Sequence, residues 1–259
     1  MLDFFLKIVE KNLTNHKKET EIVNKIKPLT WPELLLLFGI PTILNLIACR
    51  YAIPMLDAQK IFPIEVAYFL SVGVLVLVPM FLGALYLSSR ELNSHNLKVI
   101  FGRMRIKKLS GRDVLWTVLG FMILSFASFL IAKIILPLFQ IDANPFFFQN
   151  MPLSEKNFWI LYVWPLFFFF NIFGEEFLWR GYIQPRQELL NKNKTWLVHG
   201  FLWAVWHLPM GLDLIFSALP IFFILPAVVQ IRKNTTIAIV IHFVFGAFGF
   251  LALALGLVH

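Results

Sequence analysis

Seven stretches of this chain run almost without a charge, at about 31–49, 66–87, 114–136, 158–184, 196–212, 214–231 and 235–258. Each approaches or exceeds the roughly 20 residues that carry an α-helix, at about 1.5 Å per residue, across about 30 Å of hydrocarbon. The chain as a whole is 59% hydrophobic and only 15% charged, with a mean hydropathy of +0.75. Globular chains carry roughly 45–50% apolar and about 25% charged residues. A chain of 259 residues cannot hide that much apolar surface in one aqueous core, so the bilayer must be its solvent. The expected fold is an all-α polytopic membrane protein, a bundle of about seven transmembrane helices. Six or eight remain within reach, because the fifth and sixth stretches are short. Pro209, Gly211 and Asp213 join those two and suit a tight helical hairpin.

No internal repeat or low-complexity linker interrupts residues 31–259, which read as a single transmembrane domain. Before it, Leu2, Phe5, Val9 and Leu13 recur at helical spacing among Lys7, Lys11, Lys17 and Lys18. Residues 1–30 therefore read as an amphipathic basic segment lying on an anionic membrane face, with a frayed basic tail as the equal alternative. They lack the compact apolar core and small-residue site of a cleavable signal peptide. The single cysteine, Cys49, excludes an intramolecular disulfide or a CxxC metal site.

A net charge of +8 invites a nucleic-acid reading, but the positions of the charges argue against one. Arg90 to Arg112 is densely basic, as are the connections holding Arg186, Lys192 and Lys194 and then Arg232 and Lys233, and the tail before the first stretch. The alternate loops hold only Arg50, Lys60 and Lys156, with Asp57, Asp142 and Glu155 nearby. The asymmetry repeats at every crossing and places the N-terminus in the cytoplasm by the positive-inside rule. With seven spans the C-terminus is outside. A Lys- and Phe-rich chain of this size suits a bacterial inner membrane.

Ionisable groups at membrane depth are functional candidates until explained. Glu175, Glu176 and Arg180 lie on the fourth stretch, His207 on the fifth and His242 on the seventh. Lys133 and Glu33 sit near span ends, where snorkelling accounts for them; His199, near the start of the fifth helix, reads as structural. Measured from the cytoplasmic helix ends, Glu175 lies roughly 15 Å deep, His207 roughly 18 Å and His242 roughly 10 Å. Three titratable groups on three helices thus arrive at similar depth. Glu176 and Arg180, four apart, share a face and can pair, while Glu175 points about 100° away. Trp203 and His207 are also four apart, as are His242 and Gly246, where the glycine opens space for substrate.

A buried carboxylate can act as general base to a water. One histidine can share that water, and a second can donate to a developing oxyanion. Glu175, His207 and His242 also make a plausible zinc triad with an open position, although the HExxH signature is absent. Both routes hydrolyse an amide bond. Residue chemistry alone leaves room for a transporter or channel with an internal polar cluster. A transporter should show broken helices and a pseudo-repeat, and neither is visible in the sequence.

At these residues the chain resembles the CPBP family, the CAAX-protease and bacteriocin-processing membrane proteins also called Abi. Glu175-Glu176-xxx-Arg180 matches that family's EExxxR motif, and Trp203-xxx-His207 is similar to its aromatic-xxx-His motif. His242 matches the start of its HxxxN motif. The resemblance covers about residues 155–250. It implies an intramembrane endopeptidase acting on a peptide or protein at the lipid bilayer, with no nucleic-acid partner. Eukaryotic members trim prenylated CAAX proteins, and many bacterial members act on, or protect against, peptides. Carried over, Glu175 is the general base and His207 its partner. His242 holds the oxyanion or a metal, with zinc the metal in question, and Glu176 with Arg180 is a supporting pair. The chain departs from the family at Gly246, where the Asn of HxxxN belongs; losing an oxyanion donor costs about 10²–10³ in rate. Restoring Asn there is expected to raise activity. The alternative function is a non-catalytic membrane binding or immunity protein that keeps the family cavity.

Overall fold

A computed structural model describes residues 26–141 and 145–257. The amphipathic segment expected at the N-terminus lies outside them, apart from residues 26–30. Six apolar helical runs among the described residues are long enough to cross a bilayer. They are α1 (Trp31–Ala58), α2 (Ile64–Leu92), α4 (Gly111–Leu138), a run from Ile160 to Met210, α8 (Leu212–Arg232) and α9 (Thr235–Ala254). A short helix α3 (Leu97–Arg103) sits between α2 and α4. No strand occurs among the described residues.

The Ile160–Met210 run is 51 residues long, far more than one crossing needs. It comprises α5 (Ile160–Glu176), a wide turn Phe177–Ile183, α6 (Gln184–Asn191) and α7 (Thr195–His207). Between α6 and α7 the chain reverses at Lys192, where φ is 50°. Antiparallel contacts follow: Gln187 Oε1 lies 2.8 Å from His199 Nδ1, and Glu175 Oε2 accepts from Trp203 Nε1 at 2.8 Å. The seven sequence stretches are therefore six runs, the fourth doubled back. Charge spacing alone ends the first stretch at residue 49 and puts Arg50 and Asp57 in a loop. Instead α1 continues to Ala58.

Prolines shape four of the runs. Wide, i→i−5 bonded turns occur at Ala48–Ala52, Gly73–Leu77, Ile131–Ile135 and Phe177–Ile183. Two residues after each comes a proline: Pro54, Pro79, Pro137 and Pro185. Proline lacks an N–H and collides with the carbonyl four residues back, so the ladder slips by one residue instead of breaking. In lipid the freed carbonyl still needs a donor. For Pro185 that carbonyl is Gly181 O, and it accepts from Arg103 Nη1 at 3.0 Å.

Caps fix where the runs begin. Thr30 and Glu33 form a reciprocal capping box on α1, so Glu33 is a helix cap and not the snorkelling group its position suggests. Ser110 and Asp113 do the same for α4. Asp113 Oδ1 also accepts from Arg232 Nε at 2.9 Å, tying α4 to the end of α8. Buried glycines let helices cross closely. A Cβ at Gly174 would stand 2.6 Å from Leu77 O, and one at Gly200 equally close to Phe222 O. Gly174 thus brings α5 against the wide turn of α2, immediately before Glu175. Outward, α4 presents Phe126, Met122 and Leu115 uncovered, the surface of a protein solvated by lipid.

Candidate active site

The five motif residues lie on four elements: Glu175 and Glu176 on the last turn of α5, Arg180 in the wide turn, His207 at the end of α7 and His242 on α9. Glu175, His207 and His242 line one cavity of about 350 Å³; Glu176 and Arg180 do not. Neighbours along the chain thus serve different surroundings, as expected for residues about 100° apart on a helix.

Glu175 is 2% exposed, and both of its oxygens are held. Oε1 accepts from Asn171 Nδ2 at 2.8 Å and Oε2 from Trp203 Nε1 at 2.8 Å. Each carboxylate oxygen has a second lone pair, so a water in the cavity still finds an acceptor. Glu176 is fully buried and joins two groups. Its Oε1 lies 2.8 Å from His242 Nδ1 and 3.2 Å from Arg180 Nη1. The Arg180 contact is an ion pair without hydrogen-bond alignment, and the guanidinium carbon Cζ lies over the Trp203 indole, 3.5 Å from its ring centroid. A buried cation there is stabilised from two sides, by a carboxylate and by an aromatic face.

Both histidines use Nδ1 away from the cavity. His207 Nδ1 lies 2.9 Å from the carbonyl of Trp203, one turn back. A carbonyl only accepts, so the proton of a neutral His207 sits on Nδ1 and Nε2 carries a free lone pair. His242 Nδ1 is fixed by Glu176 in the same way. The arrangement can therefore offer a held carboxylate, one imidazole acceptor and one carboxylate-backed imidazole to a single small volume.

Sequence reasoning does not find Asn171. Four residues before Glu175 it faces the same side of α5, and the i,i+4 Asn–Glu spacing is the available signal. In sequence Trp203 is only a motif aromatic, whereas its N–H and its ring hold two charged groups. His199 is wholly buried against Gln187, in keeping with a structural role.

The zinc expectation meets an obstacle in the donors. Among the described residues, no three His, Cys, Asp or Glu side chains are gathered closely enough to hold a metal ion. The residues do not fit that ion as they stand.

Gly246 lines the cavity one turn beyond His242. A side chain there is crowded, since a Cβ would stand 3.1 Å from Cε2 of Phe168 and the ring would have to give. Restoring Asn at 246 alone is therefore not the simple gain that the sequence suggests.

Beyond these residues the walls are apolar and aromatic, among them Trp164, Phe167, Phe222 and Phe250. The cavity extends from Glu175 away from the basic loops, along the N-terminal half of α5 and the C-terminal half of α9. At its far end stand Pro145, Phe147 and Phe148, where Phe147 stacks on Tyr68 at 3.8 Å between ring centroids.

Residues 157–248 match the family described as Rce1-like, type II CAAX prenyl endopeptidase. That stretch contains every motif residue named above. No curated protein and no solved structure matches the chain.

Proposed function

We propose that this chain, whose residues 157–248 match the Rce1-like family of type II CAAX prenyl endopeptidases, is an intramembrane endopeptidase that cuts a membrane-associated peptide or protein with water activated at Glu175. The observation that carries the reading is the convergence of Glu175, His207 and His242 on one aromatic cavity within an apolar bundle. A peptide segment lies along the aromatic walls with its scissile carbonyl at the Glu175 end. Glu175 and His207 Nε2 hold the water. Glu175 takes a proton as the oxygen adds to the carbonyl carbon. His242, carrying a proton on each ring nitrogen in this step, keeps Nδ1–H on Glu176 and donates from Nε2 to the oxyanion. When the C–N bond breaks, the departing nitrogen receives the proton that Glu175 took. Arg180 offsets the charge of Glu176 and, through the Trp203 ring, helps to hold the indole that grips Glu175.

Purified protein in detergent tests this with an internally quenched peptide ending in a farnesylated CAAX sequence. Glu175→Gln and His207→Ala are expected to lower kcat by at least about 10³-fold while both proteins keep the parent's melting temperature, since removing a group central to catalysis commonly costs that much. Turnover within tenfold of the parent in either variant would refute the assignment. Gly246 gives the binding or immunity reading its support, because the family's amide is missing there. A parent that binds the peptide but releases no product favours that reading.

The basic loops support a cytoplasmic N-terminus, with the cavity extending toward the opposite face, and the Lys- and Phe-rich composition suits a bacterial inner membrane. An impermeant maleimide added to intact cells is expected to label Lys60→Cys and to spare Lys108→Cys. The reverse pattern would invert the topology.

A further inference from the structure

Resting on that reading of the site, we propose that Asn171 supplies the side-chain amide that position 246 lacks, holding Glu175 with one N–H and presenting the other to the scissile carbonyl. Four observations meet here. Asn171 and Gly246 line the same cavity from facing helices, α5 and α9. The Asn171 amide donates to Glu175 Oε1 at 2.8 Å, and its side chain makes no second hydrogen bond to a described residue. An amide nitrogen carries two N–H donors, so one remains for the cavity. Asn171 is only half-buried, which leaves that donor reachable.

The fourth observation is steric. Phe168, one turn before Asn171 on the same helix, crowds position 246: a Cβ there would stand 3.1 Å from its Cε2, so the ring must shift to admit a side chain. It is held there by stacking on Trp164 at 4.6 Å and by contact with Phe243 at 5.2 Å between ring centroids. The α5 face thus does two things at once: it crowds the α9 position with a ring and offers an amide beside it. The donor has changed helices, and the cavity has kept one.

Two measurements test this. Asn171→Ala is expected to lower kcat for the farnesylated probe by about 10²-fold, the effect of removing one oxyanion donor, with KM within threefold. Gly246→Asn is expected to restore at least tenfold of that loss when combined with Phe168→Ala, and to restore nothing while Phe168 remains. A role confined to folding would lower the melting temperature without this dependence on Phe168. The second measurement needs no turnover. Dicyclohexylcarbodiimide labelling of Glu175, followed by mass spectrometry, is expected to quicken at least threefold in Asn171→Ala, because an oxygen no longer covered by the amide is open to the reagent.

A kcat within twofold of the parent, or unchanged labelling, overturns the proposal. If Glu175→Gln turns over like the parent, the general-base reading fails instead, and the labelling still decides whether Asn171 holds Glu175.

Discussion

On the basic-loop side of Glu175 the bundle is packed around paired charges, and on the other side, toward Phe146–Phe148, it holds the cavity. At the closed end Arg180 and Glu176 are fully buried, and Gln184 Nε2 donates to Pro226 O at 2.7 Å. Arg103 reaches in to the Gly181 carbonyl, and Thr235 Oγ1 donates to Met104 O at 2.7 Å. At the open end the walls are phenylalanine and tryptophan around about 350 Å³ of space. Glu175 and His242 stand at the boundary, each backed by a partner on the closed side: Glu175 by Trp203, itself under Arg180, and His242 by Glu176. Polar packing at one end is thus the support, and its absence at the other is the room for a substrate. A site sunk in lipid needs both, because an unsupported ionised group is expelled or neutralised and a filled bundle admits nothing.

The largest effect expected from testing that comparison is at Arg180. Arg180→Ala removes the cation between Glu176 and Trp203 and leaves a carboxylate buried against His242 alone. The expected loss is about 3–5 kcal/mol of stability, the usual result of orphaning one partner of a buried pair, read as a lower melting temperature in detergent. Replacing both partners, as Glu176→Gln with Arg180→Met, is expected to recover most of that stability. Activity should stay low, because Glu176 also holds His242. If Arg180→Ala melts with the parent, the closed end is not the support argued here.

The unevenness of the bundle also explains what sequence alone can reveal. The spans are legible because lipid imposes length and apolarity on every crossing, and the basic loops because charge is excluded from the rest. The depths of Glu175, His207 and His242 follow from counting at a fixed rise per residue. Rotation is harder. Counting at 3.6 residues per turn pairs Glu176 with Arg180 and stops there, while the structure shares Glu176 between Arg180 and His242, a residue 66 positions away. The wide turn Phe177–Ile183 changes the rotation after Glu176, and it is set by Pro185, which carries no chemistry of its own. Phe168 is similar: nothing in sequence says that a ring on α5 crowds position 246 on α9. Tertiary packing alone decides such things. Asn171 is within reach at i−4 from Glu175, but an Asn beside an acidic motif has many idle readings until the distance is seen.

A smaller effect probes the open end. Ala218 lies on α8 and lines the cavity without forming part of the polar cluster. In a well-packed core, a change from Ala to Phe forces neighbours aside and costs about 1–3 kcal/mol. Here the added ring has space to enter, so Ala218→Phe is expected to melt within about 1 kcal/mol of the parent, because overpacking strain arises only where volume is already filled. Its cost should fall on the substrate: kcat/KM for the farnesylated probe is expected to drop about tenfold, carried by KM, because the ring competes for the volume the peptide needs. A tenfold loss equals about 1.4 kcal/mol of binding, which is within what one displaced aromatic contact contributes. Destabilisation of about 2 kcal/mol or more would show the cavity to be closed in solution, by the same overpacking argument. Normal KM with full stability would place the peptide elsewhere, and the contrast between the two ends would then concern folding alone.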